Sequence, residues 1–281
     1  MRKSIALFLT VIFITVIMAV LSGIFAVYQK FTKDSFYKSI SQNSILIKNI
    51  KSTLDNISKD INGIDIKNIF QTFPISSKDG NFRALITIKP MFDRVDINEI
   101  NKNKYVKKYL ESILEYYQTA DPVLFESIIL DTIDLDTKER VGGSEIVLNR
   151  AFFKQGRIYN YTHFKEILDY YVKLTNDKSV YKIPWQKLFI FGNGNSIIDC
   201  NLISKTVAKF LGLQYNENIN CKSLNSFKEN KNIIQNLNII PFNKNIIYPI
   251  KINILYNKEN LSLIYNINQK RIENIKNNIL Y

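Results

Sequence analysis

The chain opens with a long run of apolar positions, from Ile5 to Tyr28, behind the short basic stub Met1 to Ser4. A helix needs roughly 20 apolar residues to cross a bilayer, and this run is about that long. It is too long for the apolar core of a signal peptide, and apolar residues continue past Ala19 to Gly23, where a cleavage site would lie. The sequence therefore predicts a transmembrane anchor over residues 1–28 that stays attached to the chain.

Behind the anchor, apolar side chains recur mostly every three to five residues, which is the spacing of one face of a helix. These positions are Phe31, Phe36, Ile40, Ile45, Ile47, Ile50, Leu54 and Ile57. We expect the same helix to continue out of the membrane as an amphipathic extension over residues 29–60. The short N-terminal stub favours an N-inside orientation, although lysines on both flanks of the span leave the reverse insertion open.

Strand patterns flank a central helical block. The alternating apolar segments are Phe82–Pro90, Lys187–Gly192, Tyr248–Tyr256 and Leu261–Ile267. Proline ends the first segment because it cannot donate an amide hydrogen bond to a sheet, and the last two segments are typical of a hairpin. The strands fall in residues 61–94 and 186–281. The second of these regions also holds a short helix that is predicted to begin at Cys200 or Asn201 and to stop at Gly212.

Residues 95–185 have the apolar period of helices. Asp121 followed by Pro122 is a helix N-cap with a proline in the first turn, and this helix is expected to run to about Leu130. Thr162 is the predicted cap of a later helix. The apolar positions that face inward in these helices are Tyr105, Tyr109, Leu110, Ile113, Leu114, Tyr117, Phe164, Ile167, Leu168 and Tyr171. A helical block between strands predicts an α+β domain with a helical insertion.

Composition and charge do not change the predicted α+β fold. The chain has 281 residues and a formal net charge of +13, which is compatible with nucleic acid or an anionic membrane as a partner. Lysine, asparagine and isoleucine are spread along the whole chain, and no basic cluster with interleaved aromatic residues stands out. We therefore expect no nucleic-acid partner, and because no motif of the sequence places a substrate, we expect no small-molecule substrate either. Cys200 and Cys221 either form a disulfide across a loop of about 20 residues or pack unpaired in the core.

Residues 129–145 form the most specific segment of the chain. Its acidic and glycine positions are Asp131, Asp134, Asp136, Gly142, Gly143 and Glu145. Hard oxygen ligands grouped around a glycine turn are the environment that calcium prefers, although the twelve-residue spacing of an EF-hand is absent. The segment is therefore either a calcium loop or a solvated acidic loop that caps a helix.

This segment resembles the K-type minor pseudopilins of type II secretion systems, the general secretion pathway protein K family, whose pattern is close to L-L-D-W-x-D-x-D-D-x-x-R-x-G-G-A-E. The matching positions are Leu130, Asp131, Asp134, Asp136, Arg140, Gly142, Gly143 and Glu145. Thr132 replaces the tryptophan of the pattern, and Thr137 replaces the second of two adjacent aspartates. A further stretch, Leu188 to Asn201, is similar to the strand, glycine turn and I-N-x-N-T-A segment of the family.

The resemblance implies a long N-terminal helix, a pilin-like antiparallel sheet with a large helical insertion, and no enzymatic activity. It implies a subunit that helps to initiate and cap the tip of a pseudopilus, in a type II secretion or type IV pilus-like system for secretion or DNA uptake. The implied partners are other minor pseudopilins and the inner-membrane assembly platform. The chain would be a single-pass protein of the bacterial inner membrane with its C-terminal domain in the periplasm.

The resemblance also implies site residues. The candidate calcium ligands are Asp131, Asp134, Asp136 and Glu145. Prepilin peptidase would cleave between Ser4 and Ile5, with Ser4 in place of the glycine that is expected before the cut. Leu9 stands where most pilins carry a glutamate, which the K-type family also lacks.

Two other functions stay open. A membrane-anchored exported enzyme with a serine or cysteine nucleophile would have to use His163, the one histidine of the chain. His163 stands at the start of a predicted helix, where a surface or capping role is the simpler interpretation, and no G-x-S-x-G, H-E-x-x-H, Walker or G-x-G-x-x-G pattern occurs. A single-span periplasmic adaptor or sensor of another class would share the anchor and the α+β domain without needing the acidic loop.

Overall fold

The computed structural model describes residues 70–76, 83–192, 197–241, 249–256, 259–266 and 269–279, together with a few helical positions between Met18 and Asp55. The chain divides into two compact units, residues 1–59 and residues 60–281. In the first unit, the Ser22 hydroxyl donates to the carbonyl of Met18 at 2.7 Å. Lys51 pairs with Asp55 at 2.6 Å. Both contacts link residues four apart, as on the surface of a helix.

The predicted anchor over residues 1–28 and the amphipathic extension over residues 29–60 lie largely outside the described residues, and the cleavage site at Ser4 and Ile5 lies wholly outside them. Among the residues that the structure does describe, no helix combines the length and the apolar character that crossing a bilayer requires.

The second unit contains a five-stranded antiparallel sheet. Its strands, in spatial order, are β1 (Thr72–Ser76), β2 (Arg83–Pro90), β3 (Pro249–Tyr256), β4 (Glu259–Asn266) and β5 (Arg271–Ile279). The predicted strand that ends at Pro90 and the predicted C-terminal hairpin are both confirmed. Ile86 lies opposite Ile254, and Ile88 lies opposite Ile252, across the β2–β3 pair. All four isoleucines are buried, as the two-residue period of a strand with one apolar face requires.

The described residues between β2 and β3 form a helical block. Its helices are α1 (Lys104–Tyr116), α2 (Pro122–Ile133), α3 (Ile146–Asn149), α4 (Tyr161–Thr175), α5 (Trp185–Leu188), α6 (Lys205–Phe210), α7 (Cys221–Asn225) and α8 (Lys231–Asn236). Short 3-10 turns and two-residue parallel strand pairs connect them. Because β2 and β3 are hydrogen-bonded neighbours, the helical block is inserted between adjacent strands of the sheet. The described part of the chain is thus mixed α+β with an antiparallel sheet, as predicted.

An aromatic core stabilises the helical block. The ring of Phe125 on α2 packs edge-on against Tyr171 on α4, with 5.1 Å between their centroids. Phe164 packs in the same way against Trp185 at 5.0 Å. All four side chains are buried, and burial of an aromatic side chain contributes about 2–3 kcal/mol. The indole N–H of Trp185 donates to the carbonyl of Val180 at 2.7 Å, so this polar group does not go unpaired in the core.

One predicted helix start is confirmed. The side chain of Asp121 accepts the backbone amide of Leu124 at 2.9 Å and caps α2. The helix continues to Ile133, one turn beyond the expected end near Leu130, because Ile133 still faces the core. The predicted strand at 187–192 is shorter than expected: only Phe189–Ile190 are extended, since the preceding residues form the helical turn α5.

Two other predicted caps are wrong. Asn160, not Thr162, caps α4, because its side-chain oxygen accepts the backbone amide three residues further on at 2.9 Å. Thr162 lies inside the first turn. Ser204 caps α6 in place of Cys200 or Asn201. Asparagine and serine are both strong N-cap residues, and in each case the sequence offers several candidates within a few positions.

Cys200 and Cys221 form a disulfide, with their Cα atoms 4.9 Å apart. In the chain-entropy model a loop of this size contributes about 3 kcal/mol to stability. The bond fastens the first residue of α7 to the segment before α6. Gly212 ends α6 as predicted: its φ is +70°, and the amide of Leu213 donates to the carbonyl of Ala208 at 2.9 Å, which is the pattern of a Schellman motif.

Gly192 lies where the chain after α5 passes very close to the backbone before α4. Its φ is +95°, a conformation that favours glycine. A Cβ added here would lie 2.8 Å from the carbonyl carbon of Tyr159, and closer still to the carbonyl oxygen. The guanidinium of Arg157 also donates to the carbonyl of Gly192. The close approach of two backbone segments therefore requires glycine at this position.

Replacement of Gly192 by alanine is expected to lower the free energy of unfolding by roughly 2–4 kcal/mol, because the strained φ and the backbone clash act together. Urea unfolding of the full-length protein measures the loss. Gly212→Ala is the matched control, since Gly212 also has a positive φ but has open space around its Cβ position, and it should lose only about 1–2 kcal/mol. Equal losses in the two variants would contradict the role of the close approach.

Candidate metal centre

The end of α2 and the start of α3 bring three carboxylates together. Asp131 lies in the last turn of α2, Asp134 is the C-cap of that helix, and Glu145 is the N-cap of α3. Their ligand atoms all lie within 4.8 Å of one another. The exposed fraction is 0% for Asp131 and 1% for Glu145. We call Asp131, Asp134 and Glu145 the acidic cluster; they are three of the four residues that the sequence nominates as calcium ligands.

The fourth candidate, Asp136, does not join the acidic cluster. Its carboxylate accepts the backbone amide of Lys138 at 2.8 Å, which is the geometry of an Asx turn, and its side chain is exposed. This local turn explains why a neighbouring aspartate of the same segment faces away from the cluster. Participation of Asp136 in calcium binding stays a prediction, and it would require the side chain to leave the turn.

A glycine turn returns the chain to the acidic cluster. Gly143 has a φ of +85°, and its amide donates to the side chain of Glu139 at 3.0 Å. The carbonyl of Gly143 accepts the hydroxyl of Tyr170, on α4, at 3.0 Å. These contacts fix the turn on the surface of α4, and two residues later Glu145 faces Asp131.

Three groups neutralise or solvate the buried carboxylate of Asp131. The guanidinium Nη1 of Arg140 contacts both Asp131 Oδ1 and Asp134 Oδ2. The backbone amide of Arg140 donates to Asp131 Oδ2 at 3.2 Å, and the hydroxyl of Ser144 donates to the same oxygen. A buried carboxylate is stabilised only when it is paired and hydrogen-bonded, and Asp131 is both.

Two oxygens of the acidic cluster stay unengaged. Asp134 Oδ1 and Glu145 Oε2 are buried and have no hydrogen-bond partner among the described residues. The other oxygen of Glu145 accepts the side-chain amide of Gln155 at 2.6 Å. Burial raises the pKa of the Glu145 carboxyl to about 7; the backbone amide of Val147 lowers the pKa, and the charge of Asp131 raises it further. The arrangement concentrates negative charge that its own hydrogen bonds do not fully compensate.

This donor set fits a hard divalent cation. Calcium takes six to eight oxygen ligands at about 2.3–2.6 Å, and three carboxylates with two unengaged buried oxygens supply the core of such a shell. The sequence pattern did not point to Ser144 or Gln155. Gln155 reaches the cluster only because the chain folds back after α3, and no residue spacing signals that path.

A second acidic group, Asp199 with Cys200 and Cys221, has the residue types of a metal site but not its chemistry. Both sulfurs belong to the disulfide and are not thiolates. Metals bind the deprotonated thiol, so this group offers at most the carboxylate of Asp199. The acidic cluster is the stronger candidate within the described part of the chain.

His163 has the environment of a packed core histidine, so the surface role that the sequence suggested is wrong. Its ring lies 4.7 Å from the ring of Phe153 and 5.5 Å from that of Tyr159, measured between centroids. Its Nδ1 accepts the backbone amide of Tyr159 at 3.3 Å, and its Nε2 has no hydrogen-bond partner among the described residues. Burial lowers its pKa, so the ring is neutral near pH 7. A catalytic serine or cysteine site would need a nucleophile on one ring nitrogen and an orienting group on the other.

Comparison with known proteins identifies a similar fold but no similar sequence. No protein-family model matches the chain, and no curated protein sequence matches it. The structure is similar to a chain in the crystal structure of the GspK-GspI-GspJ complex from the type 2 secretion system of enterotoxigenic Escherichia coli, with a TM-score of 0.54. The two share 10% sequence identity, and the alignment covers 87% of this chain and 99% of that chain.

The chain has a GspK-like fold. The resemblance to K-type minor pseudopilins, which rests in the sequence on the acidic Gly-Gly segment and the stretch after it, is confirmed at the level of the fold. At this sequence identity the likeness concerns the fold alone. Metal binding by the acidic cluster therefore has to be tested with variants of this protein.

The raised pKa of Glu145 makes the metal-free GspK-like domain less stable as pH rises. The folded state favours the protonated carboxyl, so the contribution is present below the ordinary value near 4.5 and is lost as pH rises through about 7. In EDTA, Glu145→Gln should therefore be more stable than the natural protein at pH 8, by roughly 1–3 kcal/mol, and nearly equal to it at pH 4.5.

Urea unfolding of the full-length protein at the two pH values measures this difference. Glu115→Gln, which changes an exposed glutamate on α1, is the matched control for loss of one carboxylate. A stability difference for Glu145→Gln that is the same at both pH values would contradict the account of a carboxyl that burial keeps protonated.

Proposed function

We propose that this protein is a minor pseudopilin-like subunit that helps to initiate and cap the tip of a pseudopilus, in a type II secretion or type IV pilus-like system. The observation that carries the proposal is the GspK-like fold. The structural alignment covers 99% of the matched chain, and that chain was solved as part of the GspK-GspI-GspJ complex. The GspK-like fold and the acidic Gly-Gly motif together support the assignment of this chain to such an assembly.

The size of the helical block supports a place at the tip. The block stands between β2 and β3, which are neighbours in the sheet, so the chain leaves the sheet at Pro90 and re-enters it at Pro249. A domain enlarged in this way is easier to accommodate at the end of a fibre than within its shaft. Leu9, in place of the glutamate that most pilins carry, is consistent with a subunit that has no neighbour ahead of it to bind.

The proposed location is the bacterial inner membrane, with a single span and the folded domain in the periplasm. The apolar run from Ile5 to Tyr28 supports the span. The disulfide between Cys200 and Cys221 supports the periplasm, because disulfides form and persist in oxidising compartments and are rare in the cytosol. In that location the proposed partners are other minor pseudopilins and the inner-membrane assembly platform.

The proposal gives the protein no enzymatic role. An exported hydrolase with a serine or cysteine nucleophile would depend on His163, the one histidine of the sequence. That ring packs among Phe153 and Tyr159, and its Nδ1 is engaged by a backbone amide. The side chain contributes to the packing of α4, which favours an assembly protein over an enzyme.

The proposal includes a calcium ion held by Asp131, Asp134 and Glu145. When bound, calcium would supply the positive charge that the unengaged oxygens of Asp134 and Glu145 lack. Because these residues belong to α2, its C-cap and the N-cap of α3, they would tie the loop of residues 134–145 to the end of α2. The role proposed for the ion is therefore structural.

Affinity capture of the full-length protein from detergent-solubilised native membranes tests the assembly role. Mass spectrometry of the captured proteins should recover other pilin-like subunits, which begin with an apolar N-terminal helix. The mature N-terminus of the protein itself should begin near Ile5. Capture of no pilin-like protein, together with an intact Met1, would contradict the proposal and favour a free-standing membrane-anchored adaptor.

Thermal unfolding with and without calcium tests the ion. At a calcium concentration 100 times the dissociation constant, binding adds about 2.7 kcal/mol to stability, which raises Tm by several degrees. Asp134→Asn should abolish most of this rise, because Asp134 belongs to the acidic cluster. Asp136→Asn is the matched control and should keep most of the rise, since Asp136 caps its own turn. Equal loss in both variants, or no rise in the natural protein, would contradict the proposed ligand set.

A further inference from the structure

We propose that Arg140 is the resident cation of the acidic cluster and that its guanidinium competes with a divalent metal ion for Asp131 and Asp134. The inference rests on the calcium part of the proposed function and goes beyond it, because it names the residue that sets how tightly the metal binds. It concerns a side chain that is not itself a metal ligand.

The contacts of Arg140 place a positive charge at the point where a metal would bind. A single nitrogen, Nη1, contacts one oxygen of Asp131 and one oxygen of Asp134. The same two carboxylates supply two of the three groups whose ligand atoms converge within 4.8 Å. A metal that binds both aspartates would therefore bind carboxylates that the guanidinium already bridges, so the two cations compete for the same two side chains.

Electrostatic repulsion strengthens this competition. A guanidinium at hydrogen-bond distance from the two aspartates would lie within a few ångströms of a divalent ion bound to them. Two positive charges so close together repel strongly in a site from which water is largely excluded. Asp131 is fully buried and the side chain of Asp134 is 21% exposed, so water screens the two charges only from the open side of the site, where the side chain of Arg140 is 40% exposed. Binding of the metal therefore requires the guanidinium to leave.

The guanidinium of Arg140 can leave Asp131 and Asp134 while the loop stays folded. Its side chain is 40% exposed, so the guanidinium can turn into solvent, where it is fully hydrated. Its backbone amide meanwhile donates to Asp131 Oδ2 at 3.2 Å, and the Ser144 hydroxyl donates to the same oxygen. These contacts hold the loop against α2 in both states. Exchange of one cation for the other then changes one side chain rather than the path of the backbone.

The exchange has a consequence for the affinity of the metal. In the metal-free protein Arg140 neutralises part of the acidic cluster, so the loop stays folded before any ion arrives. The binding energy of calcium is reduced by the contacts that Arg140 must give up. We therefore expect a dissociation constant in the range of about 10⁻⁴ to 10⁻³ M that is typical of extracellular calcium modules, rather than the tighter range of cytosolic sensors.

Calcium titration by calorimetry on the full-length protein, for the natural chain and three variants, tests the proposal. Arg140→Gln should bind calcium at least tenfold more tightly than the natural protein. The same variant should have a lower Tm in EDTA, and calcium should restore it. Lys138→Gln is the matched control: it removes the same charge from the same loop, two residues away, and Lys138 has no ion pair among the described residues. It should change the affinity by less than threefold.

Arg140→Lys decides the question if the glutamine variant does not fold. Lysine keeps the charge but presents a compact ammonium in place of the planar guanidinium, so it should bridge the two aspartates less well. The Arg140→Lys protein should therefore bind calcium at least threefold more tightly than the natural protein. Unchanged affinity in both Arg140 variants, or an equal gain in Arg140→Gln and Lys138→Gln, would overturn the competition. Absence of calcium binding in every variant would overturn the metal site as well, while the capture of pilin-like partners would still test the assembly role separately.

Discussion

The burial of the Asp131 carboxylate is the constraint on which the acidic loop depends. A carboxylate removed from water is costly unless it is paired and hydrogen-bonded, and Asp131 has no exposed surface. Arg140 meets this requirement twice, with its backbone amide and its guanidinium, and Ser144 adds its hydroxyl. These contacts hold Arg140 and Ser144 against the end of α2, and the next residue, Glu145, lies in the acidic cluster.

The loop is in turn connected to the rest of the helical block and to the sheet. Tyr170 on α4 accepts the side-chain amide of Asn149 and donates to the carbonyl of Gly143. At the base of the block, the carbonyl of Phe92 accepts the amide of Asp199, and the amide of Met91 donates to Pro249. The sheet and the inserted helical block together make up the GspK-like fold, and the acidic cluster lies in the insertion.

Sequence predicts the features whose cause is local. Asp121 caps α2 and Gly212 ends α6 because each acts on an amide or a carbonyl within four residues. The helical period likewise places Asp131 and Asp134 on adjacent turns. The disulfide, the inward orientation of Arg140 and the contact of Gln155 with Glu145 depend on where distant segments meet. Asp136 could not be assigned from the sequence. Its carboxylate can either cap a local Asx turn or join the acidic cluster, and the sequence does not reveal which contact is stronger.

Crystal structures of the full-length protein grown in EDTA and in calcium would test most directly the central claim, that Arg140 and a calcium ion replace each other at the acidic cluster. The account predicts that Arg140 contacts Asp131 and Asp134 in EDTA. In calcium, it predicts an ion bound by Asp131, Asp134 and Glu145, with the guanidinium of Arg140 turned into solvent. Calcium crystals that keep Arg140 on both aspartates and hold no ion beside Glu145 would contradict it.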